Sequence, residues 1–262
     1  MSAALRAPAC HDCAPSRFTL PISMAFQPIV DVGSGGVLAY EALVRGARGE
    51  GAGSVLAQVT DETRYAFDQE ARTRAIGLAA LLDLPAREGL LSINFFANAV
   101  YRPETCIRRT LIAARRHRFP LGRLMFELSE SEAARDLDHM VRILAAYRGM
   151  GFKTAIDDFG AGHSGLTLLA RFQPDFVKID MALVRDIDTD RAKAAIVRAI
   201  ARMCADLGIV PIAEGIETAE ESRALAEIGI VAQQGYLFAR PGFECLPEAV
   251  LPAAASEVAA VA

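Results

Sequence analysis

Residues 25–45 read Ala25-Phe26-Gln27-Pro28-Ile29-Val30-Asp31, then Val32-Gly33-Ser34-Gly35-Gly36, then Val37-Leu38-Ala39-Tyr40-Glu41-Ala42-Leu43-Val44-Arg45. Two apolar runs of strand character flank a short, glycine-rich connection. A loop of hairpin length cannot hold a crossover helix, so these two strands must run antiparallel. Six more strand-like runs follow, over 90–95, 123–128, 153–158, 176–180, 210–214 and 231–238. Amphipathic segments over 66–82, 103–117, 132–149, 190–207 and 219–227 lie between most of them, with Gly149, Gly151, Gly208 and Gly229 placed as helix stops.

This alternation predicts an α/β fold. Eight strands in one chain of 262 residues favour closure over an open sheet, giving a modified TIM (β/α)8-like barrel with an antiparallel first strand. A doubly wound sheet is the alternative that periodicity leaves open. Neither a linker-like stretch nor an internal repeat divides the chain, so the expected organisation is a leader over 1–20, one barrel over 21–251 and a tail over 252–262.

Composition narrows the function classes. A net charge of −4 and a pI near 5.7 give no global electrostatic case for a DNA or RNA polymer as partner, while a small anionic ligand in a local pocket stays possible. No apolar run is long enough to span a bilayer, so no membrane insertion is expected and membrane association would need a partner. The five cysteines are odd in number and scattered, and the N-terminus lacks the regions of a signal peptide, which together point to a reducing cytoplasm. Cys10-His11-Asp12-Cys13 offers soft ligands, but no second pair follows at zinc-site spacing, and an incidental leader is the favoured reading.

Strand parity gathers the polar residues. In the second strand Glu41 and Arg45 share a face with Ala39 and Leu43, while Tyr40, Ala42 and Val44 face the helices. The same alternation sets Asn94, Glu127, Lys178 and Glu214 apart from their apolar neighbours. At the C-terminal strand ends of a barrel these residues, with Asp157 and Asp158, would meet on one rim. Regular pleating forbids both adjacent aspartates from pointing inward, so the fifth strand must end or twist there, and Gly160 and Gly162 supply a permissive backbone for the loop that follows.

Oxygen donors without a His or Cys cluster favour hard cations, Mg²⁺ or Mn²⁺. Acids from several strands exceed what one octahedral ion needs, so two ions sharing a carboxylate, roughly 3.5–4 Å apart, are the natural solution, with Asp157 as bridge. Such a pair suits in-line attack of water at phosphorus. Lys178 would orient the water and stabilise developing charge, or act as base were its pKa lowered by the ions.

The ordered series Tyr40-Glu41-Ala42-Leu43-Val44-Arg45, Ser92-Ile93-Asn94, Phe126-Glu127-Leu128-Ser129-Glu130-Ser131, Ile156-Asp157-Asp158-Phe159-Gly160, Val177-Lys178-Ile179-Asp180, Ala213-Glu214-Gly215-Ile216-Glu217-Thr218 and Gln234-Gly235-Tyr236 resembles the EAL family of cyclic di-GMP phosphodiesterases. The resemblance runs from about Phe26 to Pro241. It implies hydrolysis of cyclic di-GMP to linear 5′-pGpG with Mg²⁺ or Mn²⁺, and a homodimer. It makes Glu41, Asn94, Glu127 and Asp157 ligands of one ion, and gives Asp157, Asp158 and Glu214 to the other. Lys178 falls at the lysine that contacts the attacking water. Gln27, Leu43, Arg45, Asp180, Glu217 and Gln234 fall at substrate-side positions, and Glu130 at the glutamate that anchors the loop after Asp158.

Within that loop His163 and Gly165 stand where relatives commonly carry Tyr and Ser. Gly165 is expected to loosen the backbone, and His163 to pack in the loop or at an interface. Two other readings share the fold: a non-catalytic cyclic di-GMP receptor or interaction module, and a hydrolase of another phosphodiester. The complete set of acids, amide and lysine favours the enzyme.

Overall fold

The computed structural model describes residues 18–133, 136–162 and 164–252. Cys10, Cys13 and His163 lie outside the described residues, as do most of the expected leader and tail. Among the described residues nine strands build one sheet: β1 (Ile22–Asp31), β2 (Gly36–Gly46), β3 (Leu90–Asn94), β4 (Leu124–Ser129), β5 (Lys153–Phe159), β6 (Phe176–Ile179), β7 (Val210–Ala213), β8 (Ala232–Gln233) and β9 (Gly242–Phe243). Strands β2 to β8 follow one another in parallel, and β1 closes the ring, antiparallel to β2 on one side and to β8 on the other. The doubly wound alternative is thereby excluded.

The hairpin forms where the sequence places it. Asp31 Oδ1 accepts from the N–H groups of Gly33 (2.8 Å) and Ser34 (3.1 Å), and Gly35 takes a φ of 76° that a residue with a Cβ rarely adopts. Strand β8 covers only part of β1, through Val30 and Asp31; β9 pairs with Ala25 and Phe26 farther along the same edge. Residues 242–251 then stay on the barrel, with the Pro247 carbonyl accepting from the Tyr40 hydroxyl at 3.0 Å.

Alternation along the strands makes two apolar regions. Ile29, Ala39, Met125, Ala155, Phe176, Ile212 and Ala232 fill the barrel interior. Tyr40, Ala42, Leu91, Ile93, Leu124, Phe126, Val177, Ile179 and Ala213 face the helices, as parity requires. Full burial of each large side chain contributes about 1.5–3 kcal/mol. A buried ion pair enters the outer layer. Arg72, on helix Arg64–Leu81, is fully buried, pairs with Asp68 at 2.7 Å, donates to the Tyr147 hydroxyl at 2.8 Å and lies over the rings of Phe95 and Phe126.

Several element limits differ from the periodicity. The run over 231–238 is a strand only at Ala232–Gln233, because the chain turns at Gly235, where a Cβ would stand 1.9 Å from the Ile216 carbonyl oxygen. The segment 103–117 breaks at Ile107 into Pro103–Cys106 and Arg108–Arg116. Helix Leu137–Gly149 starts later than expected, where Asp136 caps the His139 N–H at 2.9 Å, after a separate turn of helix at Glu130–Ala133. Helices Ala52–Leu56, Gly165–Arg171 and Met181–Val184 span at most two turns, too short for an apolar stripe to betray them.

Candidate active site

Each rim residue owes its place to strand register. Glu41 pairs with Ser92, Asn94 with Glu127, and Ser129 with Asp157, so successive C-terminal ends climb around one mouth. Because β1 is antiparallel, Gln27 stands directly opposite Glu41 and reaches the same rim from the other chain direction.

Lys178 is the centre of the arrangement. Its buried Nζ lies 2.7 Å from Glu214 Oε1, 2.9 Å from Glu127 Oε2, 3.0 Å from Asp157 Oδ1 and 3.4 Å from Glu41 Oε2. Burial alone would depress its pKa, but Asp157, Glu127, Glu214 and Glu41 together hold it well above the ordinary lysine value. Burial pushes Glu127 up to about 8; Lys178 opposes the shift, while the charges of Glu41 and Asp157 add to it. Glu214 is raised well above the carboxylate range by burial, again against Lys178.

Neutral groups complete the ring. Asn94 Nδ2 and Gln234 Nε2 donate to the two oxygens of Glu41, each at 2.8 Å, and Gln234 also reaches Gln27 Oε1 at 3.3 Å. Ser92 Oγ donates to Glu127. Asp158 takes a φ of 56°, and the β5–β6 register slips between Ile156 and Phe159. This irregularity lets two consecutive acids serve one site. Burial and the adjacent Asp157 charge both raise the Asp158 pKa. A left-handed φ at a non-glycine residue costs on the order of 1–3 kcal/mol, the kind of local strain found where geometry serves a site.

The loop after Asp158 hangs on one carboxylate. Glu130 Oε2 accepts from the N–H groups of Gly160 (2.9 Å) and Gly162 (3.3 Å), and Oε1 from those of Ser164 (2.9 Å) and Gly165 (2.8 Å). The expectation that Gly165 loosens the backbone is corrected here. Its N–H is bonded, it is buried, and a Cβ would stand 2.6 Å from the Phe159 ring, so glycine serves close packing.

Two cavities adjoin this rim. One, of about 260 Å³, is lined by residues that include Gln27, Glu41, Asp158, Asp180, Glu214, Glu217, Gln234 and Tyr236. The other, of about 350 Å³, is mostly apolar and includes Leu43, Leu56, Phe67, Asn94, Phe96 and Ser129. Arg45 lines neither; its Nη1 turns back to the Val44 carbonyl at 2.8 Å. Asp180 caps the Ala182 N–H at 2.8 Å, and Glu217 is held by Arg185 at 2.8 Å. Tyr236, with the Arg240 guanidinium 4.3 Å above its ring, is a wall residue to which sequence reasoning gave no role, although it stands within the quoted Gln234-Gly235-Tyr236. Arg185 had no signal at all, since its role depends on reaching a different loop.

The donor set fits divalent cations. Glu41, Glu127 and Asp157 bring one carboxylate oxygen each to within 4.8 Å of one another, and so do Asp157, Asp158 and Glu214; the two groups share Asp157. Asp157 Oδ1 is buried and accepts no aligned hydrogen bond, although Lys178 is near. Five carboxylates around one ammonium leave excess negative charge in a partly dry site.

Such a site at the C-terminal mouth of a closed, mainly parallel barrel places the chain among the (β/α)-barrel proteins whose rim is built of acids. The EAL domain model matches residues 21–241, and the chain belongs to that family. It is 30% identical over 234 residues to the blue light- and temperature-regulated antirepressor BluF of Escherichia coli, covering 89% of this chain and 58% of BluF. The cyclic di-GMP phosphodiesterase RocR of Pseudomonas aeruginosa is 37% identical over 126 residues, 47% of this chain and 31% of RocR. Among solved structures, a standalone versatile EAL protein from Vibrio cholerae O395 in its c-di-GMP-bound form superimposes with a TM-score of 0.85 at 48% identity, covering 89% of this chain and 97% of that one. The manganese/cy-diGMP complex of Klebsiella pneumoniae BlrP1 gives 0.83 at 38% identity, over 90% of this chain and 60% of that one.

Proposed function

We propose that the chain hydrolyses cyclic di-GMP to linear 5′-pGpG with two divalent ions, Mg²⁺ or Mn²⁺. The observation that carries this reading is the pair of acid triads sharing Asp157 around Lys178. Glu41, Asn94, Glu127 and Asp157 would hold one ion, and Asp157, Asp158 and Glu214 the other. The ions, when bound, activate water and neutralise charge on the phosphoryl oxygens. The protein's own groups do the rest. Lys178 supplies positive charge beside the reacting phosphorus and orients the attacking water. Gln234 and Asn94 fix both oxygens of Glu41. Glu130 keeps the loop after Asp158 from drifting. Gln27, Asp180, Glu217 and Gln234 line the cavity that would take one half of the dinucleotide, and Leu43 the apolar one beside it. Arg45 joins them as a phosphate partner on swinging away from the Val44 carbonyl.

A second reading, a regulator that binds without turnover, is favoured by the antirepressor role named for BluF. The intact donor set argues for catalysis. Purified chain is incubated with cyclic di-GMP and Mn²⁺ or Mg²⁺, and the products are separated by chromatography. Linear dinucleotide, abolished by chelator, supports the enzyme; tight binding with no product establishes the regulator. Homodimerisation belongs to the same proposal and is read by light scattering. So does a cytoplasmic setting, which the free thiols of Cys106, Cys204 and Cys245 suit.

A further inference from the structure

Six of the chain's 28 Lys and Arg, but only one of its 32 Asp and Glu, fall in residues 102–118. Helix Arg108–Arg116 buries Thr110, Ala113 and Ala114 and exposes Arg108, Arg109, Ile112, Arg115 and Arg116. These five positions are spaced i, i+1, i+4, i+7 and i+8, so they form one outward stripe two turns long. Ile112, 66% exposed, stands at its centre with an arginine pair on either side. Arg102 and Arg118, both exposed, extend the charge beyond the two ends. Among the described residues only Arg109 of these six arginines has an ion-pair partner, Glu70 at 3.4 Å.

Dipole chemistry does not explain the stripe. Arg115 and Arg116 in the last turn are favoured by the helix dipole, but Arg108 and Arg109 stand in the first turn, which carries no acid and where cations are disfavoured. None of these residues lines either cavity, so the charge does not serve the rim.

We infer that this face docks on an anionic lipid surface. The helix belongs to the outer ring of the barrel, so it offers a convex ridge. A ridge cannot enclose a narrow ligand, but it can lie on a plane. Arginines that carry no interspersed acid match phosphate headgroups, and an isoleucine framed by them suits the boundary between headgroups and acyl chains better than it suits a nucleic-acid backbone. Contact through the flank would leave the rim of the barrel open to solvent. No helix of the described chain is long and apolar enough to cross a membrane, so the association is peripheral. It also needs no partner protein, unlike the expectation drawn from the sequence.

Flotation of the purified chain with vesicles tests this. Vesicles of phosphatidylcholine mixed in equal parts with phosphatidylglycerol should carry the protein at low salt, and phosphatidylcholine alone should not. Raising the salt should release it, as the charges are screened over about 10 Å at 0.1 M. Each of Arg108→Gln, Arg109→Gln, Arg115→Gln and Arg116→Gln should lower the partition coefficient by about fivefold. Ile112→Ala should weaken binding while preserving its salt dependence, and Arg115→Lys with Arg116→Lys should retain it. Circular dichroism checks that each variant is folded, and all of these positions are exposed. Equal partition into both vesicle types, no partition at all, or binding undiminished in the fourfold Gln variant would overturn the inference. So would binding to a DNA duplex at matched phosphate concentration with none to the anionic vesicles.

Discussion

The carboxylates of Asp157 and Asp158, consecutive in the chain, converge with that of Glu214 to within 4.8 Å, although regular pleating would send them to opposite faces. The φ of 56° at Asp158 and the register slip beside it bring them together. Like charges at such proximity repel, and the Lys178 ammonium beside Asp157 and Glu214 offsets only part of that repulsion.

Asp158→Asn therefore separates stability from function. Asn tolerates a left-handed φ and removes one of the repelling charges. Melted without metal, the variant should be more stable by about 0.5–1 kcal/mol. Under the proposed function, hydrolysis of cyclic di-GMP should fall by more than the roughly 10–100-fold that loss of an outer-shell partner costs. Unchanged turnover would remove Asp158 from the ligand set.

Lys178→Met strips the only ammonium from among four carboxylates. In chelator the variant should lose about 3 kcal/mol of stability, because buried charges are left without a partner. Manganese should then raise its Tm by more than it raises that of the parent chain. Differential scanning calorimetry with and without Mn²⁺ reads both effects, and equal metal shifts would count against ion binding between these acids.

Glu130→Gln halves the accepting capacity beneath the loop after Asp158. Four N–H groups then compete for one amide oxygen, at a cost of about 1.5–3 kcal/mol. Isothermal titration should show weaker Mn²⁺ binding with little change at the opposite flank of the barrel, which amide exchange can follow.

Glu221 provides a pH test away from the rim. Burial raises its pKa, but the N–H groups of Glu217, Asp186 and Thr218 outweigh it, and the folded value lies below the ordinary 4.5. Its contribution is therefore complete above pH 4.5 and is lost as pH falls through the lowered folded value. Glu221→Gln should cost about 1.5 kcal/mol at neutral pH. Urea melts across the acid range should show that difference shrinking below pH 4.5; a constant offset would disprove the linkage.

Much of this architecture was legible because its signals are local or periodic. The five-residue connection before Val37 forced an antiparallel pair, and alternation about Glu41, Glu127 and Lys178 placed them inside the mouth. Asp157 and Asp158, adjacent acids that regular pleating would part, require an irregularity in the strand. Other features depend on contacts distant in sequence. The bonding of Gly165 to Glu130 and its fit against Phe159 reversed the expected looseness, and no window of sequence brings those three together. Arg185 reaches Glu217 between loops, and the resting turn of Arg45 toward Val44 is a choice of rotamer. Short helices such as Met181–Val184 lack the length to show a period.

The reversed direction of β1 also decides where the chain enters. Ile22 pairs with Gly46, at the rim end of β2, whereas the first strand of an all-parallel barrel begins at the opposite mouth. Phe18 already leans on Phe67, a wall residue of the apolar cavity, with ring centroids 5.0 Å apart. The described chain thus starts at the mouth that carries the acids, so movement at Phe18 reaches the wall of the apolar cavity without passing through the barrel.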